Sequence, residues 1–115
     1  MSRAATTSDV FNAIAEPRRR EIIALLAGGT PRCVSDLVET LQLAQPAVSK
    51  HLGVLRAVGV VSVRKVGKSR LYSLNPSELK PVHDWARQFE RLWSQQLDRV
   101  KERAERKAAE RAKKN

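Results

Sequence analysis

Residues 34 to 58, VSDLVETLQLAQPAVSKHLGVLRAV, decide the fold. Two short amphipathic segments flank a three-residue connection. In the first, Val34, Leu37, Val38 and Leu41 fall at helical spacing; in the second, Val48, Leu52 and Leu55 repeat at i, i+4 and i+7 and make one apolar stripe. This is the pattern of a helix-turn-helix. On a helical projection Pro46, Ser49, Lys50 and Gly53 point away from the Val48 stripe, and Gln45 is free at the amino-terminal end. Such a small, polar face suits the floor of a DNA major groove.

Gln45, Pro46, Ala47, Ser49, Lys50 and His51 are therefore the candidate recognition residues. Gln45 has the groups for a bidentate contact to adenine, and Lys50 can donate to guanine O6 or N7; Ser49 is versatile and alone specifies little. Gly53 leaves room for close approach of a backbone. His51 borders the apolar stripe, so a packed or capping histidine and a phosphate contact both remain open. Arg56, near the helix end, complements the dipole.

Upstream, residues 1 to 7 are small and polar and read as a flexible terminus; Thr7 or Ser8 then caps a helix carrying Val10, Phe11 and Ile14. Pro17 opens the next helix, whose buried side is Ile22, Ile23, Leu25 and Leu26, and Gly28-Gly29 ends it. Arg18, Arg19 and Arg20 occupy its first turn, where the dipole disfavours cations. They serve either a phosphate or a solvated, ion-paired face.

Downstream, VVSVRKVGKSRLYSL changes the hydrophobic period from helical to alternating, which marks a hairpin. Val61, Val63, Tyr72 and Leu74 cover the core, and Gly67 supplies positive φ in the turn. Arg64, Lys65, Lys68 and Arg70 place four cations on its tip. A basic hairpin after a helix-turn-helix is a wing.

From Pro76 the chain reads as helical again, with Asn75 or Ser77 as cap and Glu78 in the first turn. Val82, Trp85, Phe89, Leu92, Trp93, Leu97 and Val100 recur at spacings of three and four. This stripe holds both tryptophans, more apolar surface than a terminal helix needs against a small wing domain, and reads as a dimer seam rather than packing within one subunit. Val10, Phe11, Ile14, Val82, Trp85, Phe89, Leu92 and Trp93 are the candidate interface residues. Beyond Leu97, 12 of the 18 residues from Asp98 to Asn115 are charged. Pairs such as Glu102 with Arg106 would extend the helix, with Lys113, Lys114 and Asn115 frayed. The organisation expected is thus a terminus over 1–7, a winged domain with its dimerisation helix over 8–100, and a charged tail over 101–115.

Size and charge agree. The 115 residues suffice for one modest core, and 22 Lys and Arg against 12 Asp and Glu give a net charge of +10, which by itself reads equally as a surface for polyanions, nucleic acid first, or as a merely solubilising basic surface. No run approaches the roughly 18 apolar residues of a membrane span, and no signal sequence opens the chain, so a cytoplasmic location is expected. Lone Cys33 cannot form an intrachain disulfide.

With those residues in hand, the run LAQPAVSKHLGVLRAVGVVSVRKVGKSRLYSL, with AEPRRREIIALL before it, resembles the ArsR/SmtB family of bacterial winged-helix repressors, from about Val10 to about Leu97. The resemblance implies a mainly α fold with a small β-hairpin and a homodimer joined through terminal helices. It also implies repression at an operator palindrome, with Gln45, Ser49 and Lys50 facing bases and the wing on the backbone or minor groove. Gln42 stands where the family commonly has glycine, and Ala44 where a serine cap is common, an omission worth about 1 kcal/mol.

Many family members bind metal through a Cys-x-Cys pair at the position of Cys33-Val34-Ser35. One thiolate with scattered His51 and His83 does not make the roughly four-ligand set that zinc requires, so no metal and no cofactor are expected. Cys33 is read as a small buried hydrophobe, with an intersubunit disulfide as the alternative. No phosphate-cradling loop, carboxylate pair or activated nucleophile points to an enzyme. The rival readings are a protein-interaction module whose Trp-rich helix binds another chain, and an RNA-binding winged helix. The latter lacks stacking aromatics apart from Tyr72.

Overall fold

The structure, a computed structural model, describes residues 7 to 114. Most of the stretch expected to be flexible therefore lies outside the described residues. The helices α1 (Thr7–Ile14), α2 (Pro17–Leu26), α3 (Val34–Leu41) and α4 (Gln45–Ala57) precede a hairpin of β1 (Val61–Val66) and β2 (Ser69–Leu74). A 3-10 turn over Pro76–Leu79 leads into α5 (Lys80–Arg87), and α6 runs from Glu90 to Lys114. Among the described residues the fold is mainly helical with one small sheet, as the residue pattern predicts. Two compact units divide between Val82 and His83.

In the first unit, Ile22, Leu26, Leu37, Val48, Leu52, Leu55, Val60 and Val61 have essentially no exposed surface. Each helix of the predicted pair contributes its apolar stripe to this one cluster, with Val10, Ala13 and Tyr72 closing it. Burying a side chain of this size stabilises the fold by about 1.5–3 kcal/mol, which outweighs a missing cap. Val10 is thus committed to its own subunit's core, and Val82 also packs against that cluster. Val10 therefore lacks the free surface that the dimer-seam reading required, whereas Val82, like Phe11 and Ile14, is half-buried.

The helix ends show why the sequence folds this way locally. Pro17 fits the first turn of α2, and the Glu16 carboxylate accepts the Arg19 N–H at 3.0 Å as an N-cap. Arg19 Nε donates to Ala13 O, and Arg20 Nη1 donates to Ile14 O and Ala15 O at 2.9 Å each. These two cations satisfy the orphan carbonyls that end α1, where the dipole favours positive charge. Arg18 pairs with Glu21 at 3.0 Å. All three arginines thus have partners within the chain, while Arg18 and Arg20 stay exposed.

Helix α4 ends at Gly59, φ +84°, where Gly59 N–H donates to Arg56 O and Val60 N–H to Leu55 O. This is a Schellman ending. Asn75 makes no side-chain cap for the 3-10 turn; its Nδ2 donates to Gly59 O at 2.9 Å and its N–H to Val60 O at 2.8 Å, tying the base of the hairpin to the end of α4. Helix α1 already begins at Thr7, so its capping position lies outside the described residues.

In the second unit, the one long helix expected from Pro76 is interrupted. Gln88 and Phe89 N–H groups donate to carbonyls three residues back, Trp85 and Ala86, and α6 restarts when Trp93 N–H bonds Phe89 O. No glycine or proline marks this break. Downstream, α6 runs through residue 100 without interruption and includes Lys113 and Lys114, which were expected to fray. The ion pair within it joins Lys101 and Glu105 at 4.0 Å, not Glu102 and Arg106.

Candidate nucleic-acid interface

The connection before α4 is held by one unusual residue. Gln42 adopts the left-handed conformation, φ 55° and ψ 43°, the only non-glycine residue among those described with positive φ. Its Nε2 donates to Glu39 O at 2.7 Å, which offsets part of the steric cost of a side chain there. Ala44 makes no side-chain cap. Few donors suffer from that omission, because Pro46 has no N–H and the Ala47 and Val48 N–H groups bond Ala44 O at 3.0 and 3.2 Å.

Helix α4 then separates two faces. Val48, Leu52 and Leu55 are buried, while Gln45, Pro46, Ser49, Lys50 and Gly53 are exposed and Ala47 is half-buried. A side chain at Gly53 would meet nothing within 4 Å, so the fold itself has no need of glycine at this position. His51 turns away from this surface. Its Nε2 lies 3.9 Å from Glu16 Oε2, and its Nδ1 is buried without a partner among the described residues. Of the six expected recognition residues, His51 is the one whose ring is engaged inside the subunit.

The wing is a hairpin with register Val61↔Leu74, Val63↔Tyr72, Lys65↔Arg70 and Val66↔Ser69. Only Gly67 of the two turn residues has positive φ, +61°, the pattern of a type II′ turn. Alternation puts Val61, Val63, Tyr72 and Leu74 on the core side and carries Lys65 and Arg70 outward on that same side. Those two cations face each other directly across the strands, a destabilising arrangement in the free protein. Arg64 lies on the other face and Lys68 in the turn, so the four charges do not form one cluster. Arg32, before α3, exchanges N–H···O bonds with Tyr72 at 3.0 and 2.8 Å and acts as a third strand of one residue. Nothing in the local pattern around Arg32 announces a strand.

Arg32 also pairs with Asp36 at 3.0 Å. Beside it Cys33 is half-exposed at the start of α3, not a buried hydrophobe. Ser35 Oγ lies 3.1 Å from its Sγ, and this hydrogen bond, with that of the Asp36 backbone N–H, lowers the Cys33 pKa. Among the described residues no three His, Cys, Asp or Glu side chains converge on a common point. His83 Nδ1 lies 3.4 Å from the carboxylate of the adjacent Asp84.

In the second unit, Trp85 and Phe89 pack edge to face with centroids 5.4 Å apart, and Phe89 and Trp93 are 6.4 Å apart. Trp85 and Trp93 nevertheless remain half-exposed, as do Leu92, Leu97 and Val100. Among the described residues no helix is long and apolar enough to cross a membrane.

Comparison with known proteins agrees with this geometry. Residues 16–63 match the model of a bacterial regulatory protein family, the arsR family. The transcriptional repressor SdpR of Bacillus subtilis is 35% identical over 82 residues, covering 71% of this chain and 90% of that protein. The HTH-type transcriptional regulator Rv2034 of Mycobacterium tuberculosis is 34% identical over 97 residues, 84% of this chain and 87% of that one. An ArsR-like transcriptional regulator from Rhodococcus sp. RHA1 superposes with a TM-score of 0.65 at 31% identity, covering 85% of this chain and 89% of that structure. The winged helix-turn-helix, its exposed polar α4 face and these relatives lead to one conclusion: the chain belongs to the ArsR family and is a DNA-binding transcriptional regulator, not an enzyme.

Proposed function

We propose that the protein is a homodimeric, metal-independent cytoplasmic repressor that binds an inverted-repeat DNA operator. The observation that carries the DNA-binding geometry is the separation of faces on α4. The stripe Val48, Leu52, Leu55 is buried, while Gln45, Ser49, Lys50 and Gly53 form an exposed, shallow surface of donors and acceptors. Gln45 and Lys50 read base edges, Pro46, Ala47 and Ser49 set the close fit, and Arg64, Lys65, Lys68 and Arg70 contact phosphates.

A second copy is the partner that best fits the apolar stripe of the second unit. Trp93, Leu97, Val100 and Ala104 follow one another at intervals of four, three and four, the spacing of a helix–helix seam. Trp93, Leu97 and Val100 are at least half exposed, a larger apolar stripe than a soluble monomer commonly leaves in water. Phe11 and Ile14, both half-buried on α1, belong to the same proposed interface. A two-fold dimer reads two half-sites one helical turn apart, or a multiple of it. Metal independence is supported by the donor inventory, because Cys33 offers one thiolate and zinc takes about four nitrogen or sulfur ligands.

Selection of bound duplexes from a random pool at about 150 mM salt, with and without zinc, tests the whole reading. The expected product is an inverted repeat that enriches equally in both arms. Enrichment of an asymmetric single site, or only in the presence of zinc, would overturn the dimer or the metal independence respectively.

A further inference from the structure

Helix α6 carries more than a seam. At 3.6 residues per turn, Arg99, Arg103, Arg106, Lys107 and Lys113 fall within about 120° of arc, and Glu110 is the one acid among them. Asp98, Glu102 and Glu105 share the neighbouring arc, and the Trp93–Leu97–Val100–Ala104 stripe occupies a third. A helix built only to be soluble mixes signs along a face so that acids and bases pair at i, i+4. Here Arg99 meets Arg103, and Arg103 meets both Arg106 and Lys107, at the spacings where like charges oppose the helix. Although Glu102 and Glu110 stand four residues to either side of Arg106, neither forms an ion pair with it. The five cations of the face are exposed and have no acidic partner among the described residues, whereas Lys101, off the face, is paired with Glu105. Sorted, unpaired positive charge of this kind complements a polyanion.

We propose that the face of α6 formed by Arg99, Arg103, Arg106, Lys107 and Lys113 binds DNA phosphates, a contact surface additional to α4 and the wing. The inference rests on DNA binding by the chain. A polyanion held by α4 is present at high effective concentration for any other basic surface of the same chain, which favours DNA over an unrelated acidic partner. Guanidinium groups match phosphate oxygens bidentately, and three of the five cations are arginines. The contact carries no sequence information, so it raises affinity for every duplex and steepens its salt dependence.

The test compares the full-length protein with two triple variants of identical charge on a random-sequence duplex of about 40 base pairs. One is Arg99→Gln, Arg103→Gln, Arg106→Gln; the other, off the face, is Arg87→Gln, Arg91→Gln, Lys101→Gln. All six positions are exposed and outside the core, and circular dichroism checks that α6 persists. The face variant is expected to lose about 0.9 in the slope of log K against log salt for each phosphate contact removed, up to roughly 2.7 per protomer. Its affinity at about 150 mM salt should fall roughly 10- to 100-fold, with the off-face variant close to the parent. Replacing the same three arginines by lysine should restore most of the slope. Equal slopes in the two glutamine variants, or a slope unchanged from the parent, would overturn the proposal and leave DNA binding by α4 intact. A parent protein that binds no duplex at all would overturn the DNA-binding reading as well.

Discussion

His51 Nε2 stands 3.9 Å from Glu16 Oε2, the same oxygen that accepts the Arg19 N–H at the start of α2. One carboxylate thus caps the second helix and abuts the recognition helix on its inner side. Glu16→Ala should cost about 1 kcal/mol through the lost cap. His51→Ala should leave DNA affinity within about twofold, because its ring is turned from the exposed face. A double-mutant cycle on thermal stability should give a coupling below about 1 kcal/mol, as for other solvent-reached pairs. A tenfold loss of DNA binding in His51→Ala would return the histidine to the DNA surface.

Gln45→Ala and Lys50→Ala should each weaken operator binding by about 1–3 kcal/mol and relax the preference at one base pair of each half-site. Their exposure means that folding stability stays within about 0.5 kcal/mol of the parent. Footprints identical to the parent's in both variants would remove base readout from α4.

Gly53 lies inside a helix with open space around it. Gly53→Ala should therefore stabilise the free protein by about 0.8–1 kcal/mol, the helix-propensity difference. If DNA approaches the helix backbone here, the same methyl group should reduce affinity. Calorimetric unfolding and a binding isotherm read the two effects separately, and a variant that is both more stable and equally tight in binding would refute the close approach.

Across the wing, Lys65 and Arg70 are direct cross-strand neighbours. Arg70→Gln should relieve their repulsion and stabilise the free hairpin by a few tenths of a kcal/mol. It should also weaken binding to all duplex sequences about equally and lower the salt slope by about 0.9, the effect of removing one phosphate-neutralising cation. A weakening confined to the operator would show that Arg70 reads bases.

Trp85→Glu with Phe89→Glu should give monomers by sedimentation equilibrium, since two carboxylates in a buried seam lose hydration without gaining partners. The edge-to-face contact of the two rings lies within one chain, so the single variant Trp85→Ala should also loosen α5 against the turn at Gln88. A dimer of parental mass in the double variant would move the interface elsewhere.

Much of this architecture was legible in the residue order. The helix pair, its three-residue connection and the wing follow from periods of 3.6 and 2 read over a few residues each, and Gly67 and Gly59 sit where the chain needs positive φ. Gln42 shows the limit of pattern: the left-handed turn forms although the side chain disfavours it, because the stripes on α3 and α4 are both buried when it does. Arg18, Arg19 and Arg20 read in sequence as either a phosphate contact or a solvated, ion-paired face. In three dimensions two of them close the preceding helix, a role set by carbonyls five to seven residues upstream.

The sequence by itself determined which segments are helical, which face of each is apolar, where the chain turns, and that its surface is cationic. These are properties of local spacing and composition, set by backbone geometry and by the exclusion of apolar groups from water. Tertiary structure alone decided that Val10 joins the core and Val82 packs against it, that His51 faces Glu16, that Asn75 ties the hairpin to α4, and that Arg32 pairs with Tyr72. Each depends on which partner comes within hydrogen-bonding or packing distance, and short-range periodicity carries no record of partners brought together by the fold.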